Sequence, residues 1–200
     1  MTFNSDQTVA MIAGTSFAAG LNVYATVGSL GLLSRAGVVQ LPSSLHLLES
    51  WWIIGISLGM FALEFFADKI PMFDLLWNAL HTFVRIPVAA YVAYAATAHL
   101  SPEKQLLSTV LGAAIAFAAH GGKTALRAAV TPSPEPFSNI ALSFGEDLGA
   151  ITLTWVAMQH PYIAAAAVAI LLVIIAICVR WVIGALCDLY RRAGTVLSRA

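Results

Sequence analysis

The fold of this chain is decided by the stretch Trp51-Trp-Ile-Ile-Gly-Ile-Ser-Leu-Gly-Met-Phe-Ala-Leu-Glu64, which continues as Phe-Phe-Ala-Asp68-Lys-Ile-Pro71. Its first part is an apolar run typical of a helix in lipid, and two acids follow before a proline. A second apolar segment comes next and has Arg85 inside it. Ionisable groups at membrane depth are costly and persist mainly where they face protein or water. The stretch therefore predicts a polytopic membrane protein with a charged interior.

The composition agrees with this class. The chain has 200 residues, of which 60% are hydrophobic and 10% charged. Soluble chains are about 45–50% apolar and about 25% charged, so this chain lies outside that class. Its 10 basic and 10 acidic residues cancel, which excludes a nucleic-acid partner bound through a basic patch.

The apolar segments predict an all-α transmembrane bundle that forms one domain over residues 1–200. A spanning helix needs roughly 20 mostly apolar residues. About six segments qualify, at residues 9–33, 51–70, 75–98 (interrupted by Pro87), 106–126, 137–158 and 162–188. Small residues such as Gly14, Gly20 and Gly28 predict that the first span lies inside the bundle. The prolines of residues 131–136 predict a cytoplasmic loop or, less favoured, an irregular segment that enters a cavity.

The Lys and Arg residues predict the orientation. Cytoplasmic loops carry an excess of these residues. With six spans, one side receives eight of them, and the other receives only Arg35 and Lys104. We therefore expect a multi-pass protein with both termini in the cytoplasm. The eight residues on the cytoplasmic side are Lys69, Arg85, Lys123, Arg127, Arg180, Arg191, Arg192 and Arg199.

A weak internal duplication is compatible with the sequence. Spans two and three can be laid over spans four and five, which aligns Gly55 with Gly112 and Arg85 with Glu146. The order of the charges is reversed between the two units, because acids come first in one unit and bases in the other. An acidic helix face of the first unit can therefore meet a basic face of the second.

The intramembrane charge cluster is the candidate functional site. Interpreted functionally, it lines a path or an ion site, with Glu64 and Glu146 as ion- or proton-binding carboxylates. Interpreted structurally, it is a set of salt bridges that keeps the helices in register. Asn22 and Asn139 are candidate polar contacts between helices. The cluster residues are Glu64, Asp68, Arg85, His120, Lys123, Arg127, Glu146 and Asp147.

The sequence gives no motif for catalysis or for a cofactor. It contains no nucleophile elbow and no His-Glu-x-x-His zinc motif, so we expect no enzyme, no cofactor and no metal. Of the five histidines, only His120 joins the acids, and a divalent-cation site there is a minor alternative.

The chain resembles a bacterial membrane-protein family in three motifs: Gly20-Leu-Asn-Val-Tyr24, Glu64-x-x-Ala-Asp68-Lys-Ile-Pro71 and His120-x-x-Lys123-x-x-x-Arg127. Ser138-Asn139 followed by Glu146-Asp147 extends the likeness. The family is catalogued as domain of unknown function 4126. The resemblance covers most of the first 160 residues, with the sixth span outside it. It implies a location in the bacterial inner membrane but supplies no substrate.

Three hypotheses for function remain. The first is a small transporter or channel for a small ion or charged solute. The second is a scaffold without transport, in which Gly55-x-x-x-Gly59 and Gly145-x-x-x-Gly149 mediate contacts with partners or in a homo-oligomer. The third, less favoured, is a lipid-binding protein whose Lys123 and Arg127 hold a phosphate headgroup.

Overall fold

The structure is a computed structural model that describes residues 3–68, 71–130 and 136–197. Side chains are described in these ranges except at 71–75, 128–130, 136–139, 182–183 and 185–197. All regular structure in the described part is helical, which confirms the predicted all-α class. The α-helices are α1 Ser5–Leu21, α2 Val23–Arg35, α3 Trp51–Ala67, α4 Pro71–Ala96, α5 Pro102–Val130, α6 Pro136–Gln159 and α7 Pro161–Leu197. A 3-10 helix, Ser43–Glu49, lies between α2 and α3.

Helix α1 lies at the centre of the bundle and contacts α2, α4, α5, α6 and α7. The glycines of α1 allow the neighbouring helices to pack closely against it. A Cβ atom on Gly14 would lie 2.6 Å from the Cβ of Ala157 on α6, and one on Gly20 would lie 2.7 Å from the Cβ of Ala119 on α5. Backbones approach this closely where one helix has no side chain at the contact. The prediction that small residues bring the first helix inside the bundle is confirmed.

The first predicted span, 9–33, consists of two helices that meet at Asn22. The backbone of Asn22 is extended, with φ −149° and ψ 104°, and its Oδ1 accepts a 2.9 Å hydrogen bond from the Ala25 amide. Asparagine side chains compete for backbone hydrogen bonds and favour the first position of a helix. Helix α1 has 17 residues and α2 has 13, so neither alone reaches the length of roughly 20 residues that a span needs.

The predicted count of about six spans is not confirmed. In the described ranges, 4 helical segments are long and apolar enough to cross a membrane: Leu76–Ala96, Pro102–Arg127, Ile140–Gln159 and Pro161–Trp181. The 3-10 helix and α3 make a fifth candidate if they form one span, bent by 61°. The difference arises in the amino-terminal part of the chain, because α1, α2 and α3 are each short.

The last three helices extend beyond the predicted spans at both ends, whereas α4 begins before its predicted span and ends two residues short of it, at Ala96. Helix α4 runs through Pro87 without interruption, which corrects the predicted break. Proline is tolerated in membrane helices where neighbouring helices support the freed backbone, and α4 packs along α1 and α5. The predicted loop at 131–136 falls mostly on residues 131–135, outside the described residues, and α6 begins at Pro136.

The outer surface of the bundle is apolar. In Pro161–Trp181 of α7, only 11% of the span is buried in the protein, and large apolar side chains such as Ile163, Ile170 and Val173 are exposed. A soluble protein rarely exposes an apolar surface of this extent. The apolar helices therefore indicate a protein embedded in a membrane.

Candidate functional site

Acidic side chains of α3 face basic side chains of α5. Glu64 and Asp68 are four residues apart at the end of α3, and Lys123 and Arg127 are four apart on α5, so each pair shares a helix face. The Lys123 ammonium lies 3.4 Å from Glu64 Oε1 and 3.7 Å from Asp68 Oδ2. Arg127 Nη2 lies 2.8 Å from Asp68 Oδ2. All four residues are buried, so the predicted meeting of an acidic and a basic face is confirmed.

Helix α6 contributes Glu146 to the same cluster. Arg127 donates to it through Nη2 and through Nε, which lies 3.2 Å from Oε1 and 3.1 Å from Oε2. The Lys123 ammonium lies 3.2 Å from Glu146 Oε2. Ser143, one turn earlier on α6, is fully buried and donates to Asp68 Oδ2 at 3.4 Å. Charge-assisted hydrogen bonds of this kind are stronger than neutral ones, so α3, α5 and α6 are tied together here.

Arg85 of α4 is fully buried near the middle of the candidate span Leu76–Ala96. Its Nη2 donates to Glu64 Oε1, and its Nη1 donates to Asn78 Oδ1 at 3.2 Å. The same Nη1 lies 2.8 Å from His120 Nδ1. A guanidinium group has donors only, so Nδ1 accepts and the His120 proton is on Nε2, 2.7 Å from Thr82 Oγ1. His120 is therefore neutral in this arrangement and orients Arg85.

The break between α1 and α2 joins the cluster from the centre of the bundle. Asn22 Nδ2 donates a 2.8 Å hydrogen bond to Asp147 Oδ1 on α6. The carbonyl of Leu21, at the end of α1, accepts a 3.0 Å hydrogen bond from the Lys123 ammonium. A cation at the carboxyl end of a helix is stabilised by the helix dipole. Both sides of the break thus contact the charged residues.

The structure brings together every ionisable residue proposed from the sequence. They form one buried network, the charge cluster, at the ends of α1 and α3 and along α4, α5 and α6. Their role as a pathway stays a prediction. Asn22 makes the predicted polar contact between helices. Asn139 lies among the residues whose side chains are not described. The members are Glu64, Asp68, Arg85, His120, Lys123, Arg127, Glu146 and Asp147.

Three neutral polar residues of the network were missing from the predicted site. Asn78 and Thr82 lie on the same face of α4 as Arg85, and Ser143 lies on the same face of α6 as Asp147. All three precede a charged residue by three, four or seven positions, which is the spacing of one helix face. This spacing can be read from the sequence, and it is the pattern from which the three neutral residues could be predicted.

Three carboxylates of the charge cluster each have one unsatisfied oxygen. Among the described residues, Glu64 Oε2, Asp68 Oδ1 and Asp147 Oδ2 are buried and have no hydrogen-bond partner. A buried polar atom left without a partner costs free energy, typically about 1–3 kcal/mol. Arg85 Nε is likewise buried without a partner, so the described arrangement leaves a donor as well as these acceptor oxygens unsatisfied.

The described residues include no set of three His, Cys, Asp or Glu side chains placed to hold a metal ion. His81 of α4, which is also buried, belongs to a separate group. Its Nε2 lies 2.9 Å from the Tyr24 hydroxyl, and its ring stacks on Trp77 at 4.3 Å between ring centroids.

An apolar cleft of about 580 Å³ lies between α2, α3 and α6, next to the charge cluster. Its lining includes Ala25 and Ile151, which lie one helical turn beyond Asn22 and Asp147 respectively. Leu21, Phe61 and Leu153 pack on a cluster of buried alanines from α1, α2 and α6. The lining residues are Ala25, Ser29, Leu32, Leu33, Leu58, Phe61, Ile151, Thr152 and Trp155.

Comparison with known proteins places this site in a family. A family model described as "Domain of unknown function (DUF4126)" matches residues 9–181. The match covers the whole charge cluster and also reaches into α7, so the expectation that the last span lies outside the likeness is wrong for its first part. Comparisons with curated proteins and with solved structures find no match. The chain belongs to the family catalogued as domain of unknown function 4126.

Proposed function

We propose that this protein carries a small ion or a small charged solute across the membrane and that the charge cluster is its loading site. The observation that carries the proposal is the burial of Glu64, Arg85 and Lys123 inside apolar helices, beside a break in the central helix. The proposal assigns no chemical reaction to the protein. It also places the protein in the bacterial inner membrane with both termini in the cytoplasm.

The energetics of buried charge support this function. Removing an ion from water costs several kcal/mol even after relaxation, and replacing a buried ion pair by apolar residues is often neutral or stabilising. Helix packing alone therefore gives little reason to keep Arg85 or Glu64. Charged side chains within spans commonly mark ion pathways and proton relays.

The break at Asn22 supports the same function. Transporter sites are often built from discontinuous helices, whose exposed backbone carbonyls and helix ends bind ions near the middle of the bilayer. Here the carbonyl of Leu21 binds the Lys123 ammonium, and this cation is shared with the carboxylates of Glu64 and Glu146. Protonation or ion binding at one of these carboxylates would change how the cation is shared. The charge cluster can therefore respond to its cargo.

Transport can be tested in proteoliposomes under a proton or salt gradient. We expect Glu64→Gln and Glu146→Gln to abolish ion movement while the folded protein stays in the membrane. Glu103→Gln is the matched control, because Glu103 is an exposed acid at the start of α5 and its loss should leave the flux unchanged. Normal flux in both cluster variants would refute the proposal.

The main alternative is a scaffold without transport, and the extent of ion pairing favours it. Glu64, Asp68 and Glu146 each pair with at least two of the bases in the charge cluster. If these pairs are only structural, Asp68→Asn and Arg127→Gln should each destabilise the protein, and the double variant should be more stable than the less stable single one. Flux through the wild-type protein decides between the two functions.

The exposed glycines match a role in assembly. A Cβ atom on Gly55 or Gly59 would meet nothing within 4 Å, so this face of α3 is not used within the described part of the chain. A lipid headgroup at Lys123 and Arg127 is less compatible with the geometry, because both bases are buried and already paired with carboxylates.

A further inference from the structure

We propose that Asp147 holds an exchangeable proton on Oδ2, with Asn22 fixing its carboxyl group at the break of the central helix. The inference deepens the proposed function, on which it rests for its biological use, by naming the proton as the ion. Asp147 belongs to the charge cluster but forms no ion pair among the described residues.

The orientation of the Asn22 amide is set by the backbone. Its Oδ1 accepts from the Ala25 amide, which is a donor only, so the other end of the side chain must be the NH₂ group. That group donates to Asp147 Oδ1 at 2.8 Å. Asp147 Oδ1 is therefore an acceptor, and a proton on this carboxyl belongs on Oδ2.

Asp147 Oδ2 lacks the contacts that a buried carboxylate needs. Asp147 is 4% exposed, and its Oδ2 has no hydrogen-bond partner among the described residues. The three other carboxylates of the charge cluster form ion pairs with Arg85, Lys123 or Arg127, whereas Asp147 forms none within the described ranges. An isolated buried carboxylate is far more costly than the neutral acid. A proton on Oδ2 removes this cost.

The charges around Asp147 come from three helices. Lys123 of α5 faces it with positive charge, while Glu64 and Asp68 of α3 face it with negative charge. Glu146 is its neighbour on α6, and Asn22 at the break is neutral. The two acids of α3 oppose ionisation of Asp147, and Lys123 favours it. Lys123 is itself shared with Glu64, Asp68 and Glu146, which reduces its effect on a fourth carboxylate.

A proton suits this position better than a metal ion. Hard cations take about six or more oxygen ligands, and the described residues hold no three-residue ligand set. Asn22 Nδ2 donates to the other oxygen of this carboxyl group and would repel a cation. A proton needs only one oxygen.

The exchange step is simple. The O–H bond at Oδ2 breaks, the proton leaves with water or another acceptor, and the electron pair stays on the carboxylate. The new negative charge then competes with Glu64 and Glu146 for the Lys123 ammonium. Lys123 also binds the Leu21 carbonyl, so loss of the proton acts directly on the end of α1.

Infrared spectroscopy of the protein in lipid tests this inference, because a protonated carboxyl has a carbonyl-stretch band separate from that of carboxylates. We expect such a band near neutral pH, a shift in deuterium oxide and loss of the band at alkaline pH. Asp147→Asn should remove it. Glu146→Gln should retain it, because Glu146 is ion-paired.

Asn22→Ser gives a second, independent variant. Serine can still cap α2 at Ala25 but is too short to donate to Asp147, so the carbonyl band should move to higher frequency. This variant and the wild-type pH titration decide the question even if Asp147→Asn fails to fold.

Three results would overturn the inference: no protonated-carboxyl band in the wild type, a band that persists in Asp147→Asn, or equal loss in Glu146→Gln. These results are distinct from a failure of transport. A band that depends on Asp147 in a protein without ion flux would uphold the proton site and refute the proposed function.

Discussion

Two regions of the bundle interior are built in opposite ways. Around Gly14 and Gly112, helices α1, α4, α5, α6 and α7 meet through uncharged small residues, alanine, glycine and serine, although Ser16 Oγ is buried there without a hydrogen-bond partner among the described residues. Around Glu64, Arg85 and Lys123, the interior is charged, and oxygens remain unsatisfied. Close packing drives helix association in lipid, where the hydrophobic effect between helices is absent. The comparison indicates that the small-residue region stabilises the fold. Burying the charge cluster costs free energy, which we attribute to its function.

The largest effect is expected where the charge cluster loses one partner. Arg85→Gln leaves Glu64 buried with less compensation and should lower the free energy of unfolding by about 3–5 kcal/mol. The double variant Arg85→Gln/Glu64→Gln should recover most of this loss, because no unpaired charge remains. Equilibrium unfolding in detergent micelles measures both values.

The control for Arg85 is Lys104→Gln, which removes an exposed cation at the start of α5 and should change stability by less than about 0.5 kcal/mol. A double variant as unstable as Arg85→Gln alone would show that Arg85 stabilises the fold through contacts other than the Glu64 pair.

An intermediate effect is expected at Gly20, where α1 packs closely against small residues of α5. A Cβ atom at Gly20 would lie 2.5 Å from the carbonyl oxygen of Ala116 and 2.7 Å from the Cβ of Ala119. Gly20→Val should therefore force α1 and α5 apart and cost about 1–3 kcal/mol, as overpacking does. The same unfolding assay measures the loss.

Gly59→Val is the matched control, since a Cβ atom there would meet nothing within 4 Å. It should leave the monomer's stability nearly unchanged. Equal losses at positions 20 and 59 would contradict the central position of α1.

The smallest of these effects concerns Asn22, where the two regions meet. Asn22→Ala removes the cap of α2 and the donor to Asp147, whereas Asn22→Ser removes only the donor. The alanine variant should be less stable than the serine variant by about 1 kcal/mol, the usual contribution of a helix cap. Identical stabilities would show that the cap contributes nothing to the break.

The charge cluster was largely visible in the sequence because helical periodicity is a local property. Spacings of four between Glu64 and Asp68 and between Lys123 and Arg127 place each pair on one face, and opposite signs predict that the faces meet. Asn78 and Thr82 share a face with Arg85, but a neutral side chain has no charge sign from which its partner can be predicted, so both lie outside the predicted site.

The break at Asn22 and the number of spans could not be predicted in the same way. Residues 9–33 read as one apolar segment, and a single asparagine is compatible with an intact helix whose side chain bonds to a neighbour. The break depends on tertiary contacts: Asp147 lies 125 positions away in the sequence and bonds to one end of the amide. Distant partners of this kind leave no local signal.

The central claim is that the charge cluster lies on a path that water reaches during transport, while the small-residue region stays dry. Ser143 and Ser16 are buried serines of the two regions, and each can be replaced by cysteine in a protein whose Cys178 and Cys187 are alanine. A small, membrane-impermeant thiol reagent should modify Ser143→Cys from one side of the membrane and leave Ser16→Cys unmodified. Equal protection of both cysteines under a gradient would contradict the account.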